Sequence, residues 1–304
     1  MALAATMLTA CGNNKEEQLR ERAMELCQYI PDHQLKEEAS DFMTTDFYAV
    51  LDTMFHLPEH EAMDHEWLHY FVTGNGGTIA DYEVASVEQV DDQHAVATIK
   101  VRQKWEDGSF DETSDIEEHK LCMEKVDGQW LMSDFDGHKQ DCIRHIEIWK
   151  KEQAVRDAVA DYLVRGIGAQ YRKGELCIPT LTIVAGEDAD SPEARLWVDT
   201  WVWWYNQVGD TLKTVSGGNH SGCMSLQMKH GKPVVTAFEQ TEDGARFLPS
   251  AKRIFGEHFE TYQDMHSNHD VAETVRKEQL GEYVRRHGLS VRYYQDYGWE
   301  AVEL

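Results

Sequence analysis

Apolar residues recur at helical spacing through residues 16–55, at Leu19, Ala23 and Leu26 and again at Phe42, Phe47 and Leu51, which is the repeat of a helix with one buried face. Pro31 divides the run, because proline lacks the amide hydrogen a helix interior needs, so the pattern predicts two helices. From residue 79 to 135 the period falls to two. Val96, Thr98 and Lys100 alternate with Ala97, Ile99 and Val101, and Asp91-Asp92, Asp107-Gly108 and Asp127-Gly128 mark turns, which predicts an antiparallel meander. Residues 142–171 are helical again, with Gly166 and Gly168 loosening the later turns. Strand patterns follow at 176–185, 196–205, 223–228 and 233–238, and more helices and a tyrosine-rich tail come after Ser250. Helices followed by a meander, met twice, define an α+β chain, divided here into a leader (1–11), a first domain (12–150) and a second domain with C-terminal helices (151–304).

The two halves share a local spacing. Cys122-Met123 opens a strand that turns at Gly128 and runs through Trp130 to Phe135; Cys223-Met224 opens one that turns at Gly231 and runs to Phe238. Glycine-to-phenylalanine spacing is the same in both, while the preceding arms differ by two residues. A diverged repeat accounts for this, and so does the general frequency of hairpins.

Composition narrows the class of partner. Lys and Arg number 29 against 55 Asp and Glu, a formal net charge of -26, which disfavours nucleic-acid phosphates and anionic lipid surfaces and suits neutral or cationic partners. Apolar residues at 41% and nine tryptophans across 304 residues supply real cores. At the N-terminus, Leu8-Thr9-Ala10-Cys11 ends an apolar run too short to span a bilayer. It resembles the lipobox of bacterial lipoproteins, which implies cleavage before Cys11, lipidation of Cys11 and a place in the cell envelope on the outer membrane, held through the lipid alone. Met1-Ala2-Leu3-Ala4 lacks the basic residues of a signal peptide, which leaves a frayed apolar terminus as the alternative; the lipid anchor is preferred. Lys15-Glu16-Glu17 looks like an acidic surface-export signal and equally suits a helix's first turn. Five further cysteines without CxxC spacing indicate neither a disulfide framework nor a zinc knuckle.

Helices followed by a long meander, the stretch Gly128-Gln129-Trp130-Leu131-Met132-Ser133-Asp134-Phe135-Asp136-Gly137, and Gly209-Asp210-Thr211-Leu212-Lys213-Thr214-Val215-Ser216-Gly217-Gly218 resemble secreted lipoproteins of Gram-negative anaerobes built on cystatin-like, nuclear transport factor 2-like domains. The resemblance implies two cones, each with N-terminal helices packed on a curved antiparallel sheet. Such cones host ligand binders, assembly modules and some isomerases and dehydratases, so fold does not select a function.

Three segments carry candidate chemistry. His65-Glu66-Trp67-Leu68-His69 is a literal HExxH, in which helical spacing would let His65 and His69 bind zinc while Glu66 activates water. No third ligand can be assigned and Gly74-Asn75-Gly76-Gly77 follows at once, so a solvated amphipathic helix is preferred and no cofactor is expected. His60 could join His65 and His69 in adventitious metal binding. In the second half, strand alternation puts Trp197, Asp199, Trp201, Trp203 and Tyr205 on one face, and Val198, Thr200, Val202 and Trp204 on the other. The aromatic face is either core sealed by the helix at 152–171 or the wall of a ligand pocket. Asp199, if buried there, is a candidate acid or base, since desolvation raises a carboxylate pKa. Trp201 is expected as core, with Trp203 and His220 nearest a ligand. Lastly, residues 216–223 read as a glycine-rich loop lacking both P-loop and G-x-S-x-G patterns, with His220/Cys223 or His220/Asp199 as the catalytic alternatives to a plain turn.

The sequence therefore reads as a non-catalytic extracytoplasmic lipoprotein that binds a small molecule or an envelope protein, with Cys11 lipidated and Asp199, Trp201, Trp203 and His220 as ligand-binding candidates. A zinc hydrolase on His65, Glu66 and His69, or a cone-type isomerase or hydrolase, is the alternative.

Overall fold

The computed structural model describes residues 4–31, 35–57, 77–105, 118–187, 191 and 193–304. It is α+β, with antiparallel sheets and packed helices, and divides into two compact units, 1–148 and 149–304. No helix among the described residues is long and apolar enough to cross a membrane. His60, His65, Glu66 and His69 lie outside the described residues.

In the first unit, α1 (Ala4–Cys27) and α2 (Thr45–Phe55) pack on a four-stranded sheet of β1 (Gly77–Gln89), β2 (His94–Trp105), β3 (Glu118–Val126) and β4 (Gln129–Phe135), paired in chain order. The alternation of β2 is realised: Ala95, Ala97, Ile99 and Val101 are buried with Leu121, Met123, Met132 and Phe135 of the neighbouring strands. Leu19, Ala23 and Leu26 of α1 and Phe47, Leu51 and Met54 of α2 are buried as well.

α3 (His138–Tyr162) leads into the second unit and ends in a wide π turn at Leu163–Ile167, where Gly166 falls. The sheet that follows is built from β5 (Leu176–Gly186), β6 (Ala194–Val208), β7 (Thr211–Lys229) and β8 (Lys232–Gln240). Helices α4 (Phe247–Phe255), α5 (Phe259–Ser267) and α6 (His269–Arg286) come next, then the short strands β9 (Tyr293–Gln295) and β10 (Val302–Glu303). β7 is the organising strand. It pairs with β6 along its length, with β9 in parallel at its start and with β8 at its far end.

Helices cover this sheet on both faces. Val155, Val159, Leu163 and Ile167 pack on Val198, Val202, Met224 and Leu226, while Trp197 packs with Ala251, Ile254, Phe255 and Tyr262 on the opposite side. This corrects one sequence expectation. The helix at 152–171 seals the valine face of β6, and the tryptophan face belongs to α4, α5 and α6. β5 is an edge strand, and its exposed hydrogen-bonding groups are managed locally: the Gln279 side-chain amide accepts from Leu181 N–H and donates to Leu181 C=O, each at 2.7 Å, and Pro179 offers no donor.

A second correction concerns residues 216–223, which continue β7 rather than loop out. Their glycines make room; none of them has positive φ. A Cβ on Gly217 would lie 2.4 Å from Cε3 of Trp203 on one face, and a Cβ on Gly218 would lie 2.1 Å from the Tyr171 hydroxyl on the other. Adjacent glycines thus admit one large ring to each side of the strand.

Candidate functional site

Strand alternation sends Trp197, Asp199, Trp201 and Trp203 of β6 toward the α4–α6 side. Trp197 is core: its Nε1 donates to the Ile254 carbonyl at 2.9 Å and its ring is almost wholly enclosed. Trp203 is held as tightly. Its indole lies over Gly217, stacks on Trp201 with centroids 4.9 Å apart and planes within 3°, and carries the Arg276 guanidinium 4.0 Å from its centroid. Its Nε1 is buried and has no hydrogen-bond partner among the described residues.

Arg276 is 3% exposed and makes two hydrogen bonds of 2.7 Å to the two oxygens of Asp296, with further contacts to the Tyr205 hydroxyl and Thr214 Oγ1. Burial pushes its pKa down, but the Asp296 hydrogen bond and charge outweigh this and raise it. Asp296 is depressed in turn: desolvation works against the carboxylate, and Arg276 and Thr214 overcome it. This is a closed, satisfied ion pair that braces Trp203.

Asp199 sits two residues from Trp201 on the same face, its side chain 11% exposed. Asn219 Nδ2 (2.6 Å) and Ser221 Oγ (2.7 Å) donate to Oδ1, and His266 Nδ1 on α5 donates to Oδ2 at 2.9 Å. Burial raises its pKa, as the sequence reading expected of a buried carboxylate, but the donors, His266 first, reverse the outcome and leave Asp199 below its ordinary value. Asp199 is an ionised counter-charge, which corrects the expectation of a raised pKa. His266 is raised above its usual value, chiefly by the hydrogen bond to Asp199 against partial desolvation. It is 32% exposed, stacked on Tyr262, with Nδ1 fixed by Asp199.

His220 is not part of this group. It is paired with Thr200 across the strands, so its ring lies on the α3 side, where Nε2 contacts the Tyr171 hydroxyl and Nδ1 the Gln240 Oε1, each at 2.9 Å. Neither the His220/Asp199 nor the His220/Cys223 pair can form, because in each the two residues lie on opposite faces of the sheet. Trp201 and Trp203 are both half-buried, and Trp203 is the one clamped between Gly217, Trp201 and Arg276. Sequence reasoning missed His266, Arg276 and Asp296, for which no local pattern exists. It also missed Asn219 and Ser221, which would have been found by extending the alternation of β7 through its glycines.

A second carboxylate–imidazole pair lies in the first unit. His119, its side chain 8% exposed, meets Asp136 Oδ2 through Nδ1 at 2.6 Å, and its buried Nε2 has no partner among the described residues. A groove of about 480 Å³ runs between α3 and α6 over β5, lined by Val159, Leu163, Cys177, Leu181 and Tyr283 among others. Asp199, Trp201, Trp203 and His220 are not in its lining. Among the described residues no group of three or more His, Cys, Asp or Glu is placed to hold a metal ion.

No family profile and no curated protein matches the chain. Among solved structures, it is similar to a chain titled "Ntf2 like protein involved in plasmid conjugation", at 9% identity and a TM-score of 0.21, covering 77% of this chain and 99% of that one. Similarity at that score decides neither fold family nor function.

Proposed function

We propose that this protein is an extracytoplasmic lipoprotein, anchored through lipidated Cys11 at the cell envelope, whose second unit binds a small molecule on the Trp201 face of its sheet. The observation that carries the reading is the position of Trp201. One ring face is backed by the braced Trp203–Arg276 stack, and beside it stands an ionised carboxylate with an oriented, partly exposed imidazole. A rigid aromatic surface next to a few fixed polar groups is the usual composition of a ligand site. The charge of -26 agrees with a partner that is not nucleic acid. The reading includes two tandem cystatin-like units, supported by the matched hairpins described in the Discussion.

Anchoring at Cys11 is compatible with the burial of Leu19, Ala23, Leu26 and Cys27 of α1, which would remain in the cleaved chain. The ligand site is tested by thermal-shift screening of the protein and its Trp201→Leu variant against planar and polyhydroxylated small molecules. Compounds that raise the Tm of the parent by several degrees and leave the variant unmoved support the site. Equal shifts in both, or none in either, count against it.

A further inference from the structure

Resting on the reading of Trp201 as a ligand surface, we infer that the ligand is a planar organic cation, a guanidinium or N-alkylated aromatic ring stacked on the face of Trp201 turned away from Trp203, with Asp199 as its counter-charge. The fold contains its own precedent one position along the strand. There a planar cation, Arg276, lies 4.0 Å from the centroid of Trp203 and is neutralised by a carboxylate, Asp296. Trp201 stacks one face on Trp203, so its other face looks back along β6 toward Asp199, the next residue on that side. Among the described residues no ring or cation stacks on that second face, whereas the equivalent surface of Trp203 is filled.

Charge favours the same class. Asp199 is ionised and its neighbours on β7, Asn219 and Ser221, are neutral. Among the described residues, the groups in ring or hydrogen-bond contact with His266 are Asp199 from β6, Phe247 from α4 and Tyr262 from its own helix; burial lifts the Tyr262 phenol to about 12, so of these Asp199 is the charged one near neutrality. With His266 neutral the pair carries one negative charge; with His266 protonated it carries none. A cation is attracted to the aromatic face by the ring quadrupole and to the pair only in the first state. An anion would meet an ionised carboxylate near neutrality, in a molecule of net charge -26.

The test compares 1-methylnicotinamide, a planar cation, with nicotinamide, its neutral counterpart, by quenching of tryptophan fluorescence in the full chain. Above the His266 transition the cation should bind about tenfold more tightly, equivalent to about 1.4 kcal/mol. The preference should vanish in Asp199→Asn and both compounds should be lost in Trp201→Leu. In the unmodified protein the preference should also shrink as pH falls through the His266 transition, a measurement that needs no variant to fold. Trp201-dependent binding of both compounds with equal affinity would overturn the cation proposal and leave the binding surface standing. No binding of either would remove both. A cation preference that survives in Asp199→Asn and Trp201→Leu would come from net charge alone, and would also overturn it.

Discussion

Asp199 shows how a burial penalty can be reversed by neighbours a few ångströms away. Its carboxylate accepts three hydrogen bonds, and such bonds to the charged form lower a pKa even where desolvation raises it. The depressed Asp199 contributes stability that is present above its unfolded value near 4 and is lost as pH falls through its folded pKa. The raised His266 contributes stability present below about 6.5 and lost as pH rises through its folded pKa. In Asp199→Asn, His266 loses the partner that raises it and keeps the desolvation that lowers it, so its transition should move to below about 6.5. Histidine side-chain NMR titration measures this directly, and an unmoved transition would contradict the assignment. Arg276 is the more costly residue to lose. Arg276→Met leaves Asp296 with Thr214 alone and no countercharge, and the Tyr205 hydroxyl without its donor, and should destabilise the second unit by about 3 kcal/mol, by urea denaturation.

At the scale of elements, the glycines of β7 can be ranked by what a methyl group would strike. At Gly222 the added Cβ would sit 2.0 Å from the Glu239 backbone oxygen, which cannot swing away, whereas at Gly218 it meets a side-chain hydroxyl. Overpacking costs about 1–3 kcal/mol or more, so Gly222→Ala should lower the Tm further than Gly218→Ala. The two hairpins match in more than spacing. Asp127-Gly128 and His230-Gly231 both have positive φ at both positions, the two-residue turn that suits the twist of paired strands. In each hairpin the fifth residue after the glycine, Ser133 or Thr236, bulges out, and the seventh, Phe135 or Phe238, pairs with the residue seven before the glycine, Leu121 or Met224. The cysteines that open the two arms in sequence are not equivalent; Leu121 and Met224 are.

Much of this was legible from periodicity. The meander of the first half and the strands at 176–185, 196–205 and 233–238 follow apolar alternation, a local property. The glycine-rich part of β7 was not legible, because glycine marks a turn and a close approach alike, and only Trp203 and Tyr171 on either side tell which applies. The covering of the Trp201 face was also hidden. α6 carries a buried arginine, which reads as a solvated helix until Asp296, 20 residues further on, is seen to neutralise it.

For the whole molecule, the lipid anchor and the ligand surface are separable claims. Mass spectrometry of membrane-fraction protein should find a chain beginning at acylated Cys11; an intact N-terminus with unmodified Cys11 would contradict the anchor and leave the Trp201 site untouched. The ligand surface requires that Trp201 be a supported ring with one open face, while Trp197 on the same strand is core. The most direct measurement is therefore the unfolding free energy of Trp197→Ala beside that of Trp201→Ala. Trp197 is enclosed by Ala251, Ile254, Phe255 and Tyr262, and its removal should cost about 3–5 kcal/mol. Trp201→Ala should cost less than half as much. Equal and severe losses at both positions would mean that the whole face is core and that no ligand surface exists there.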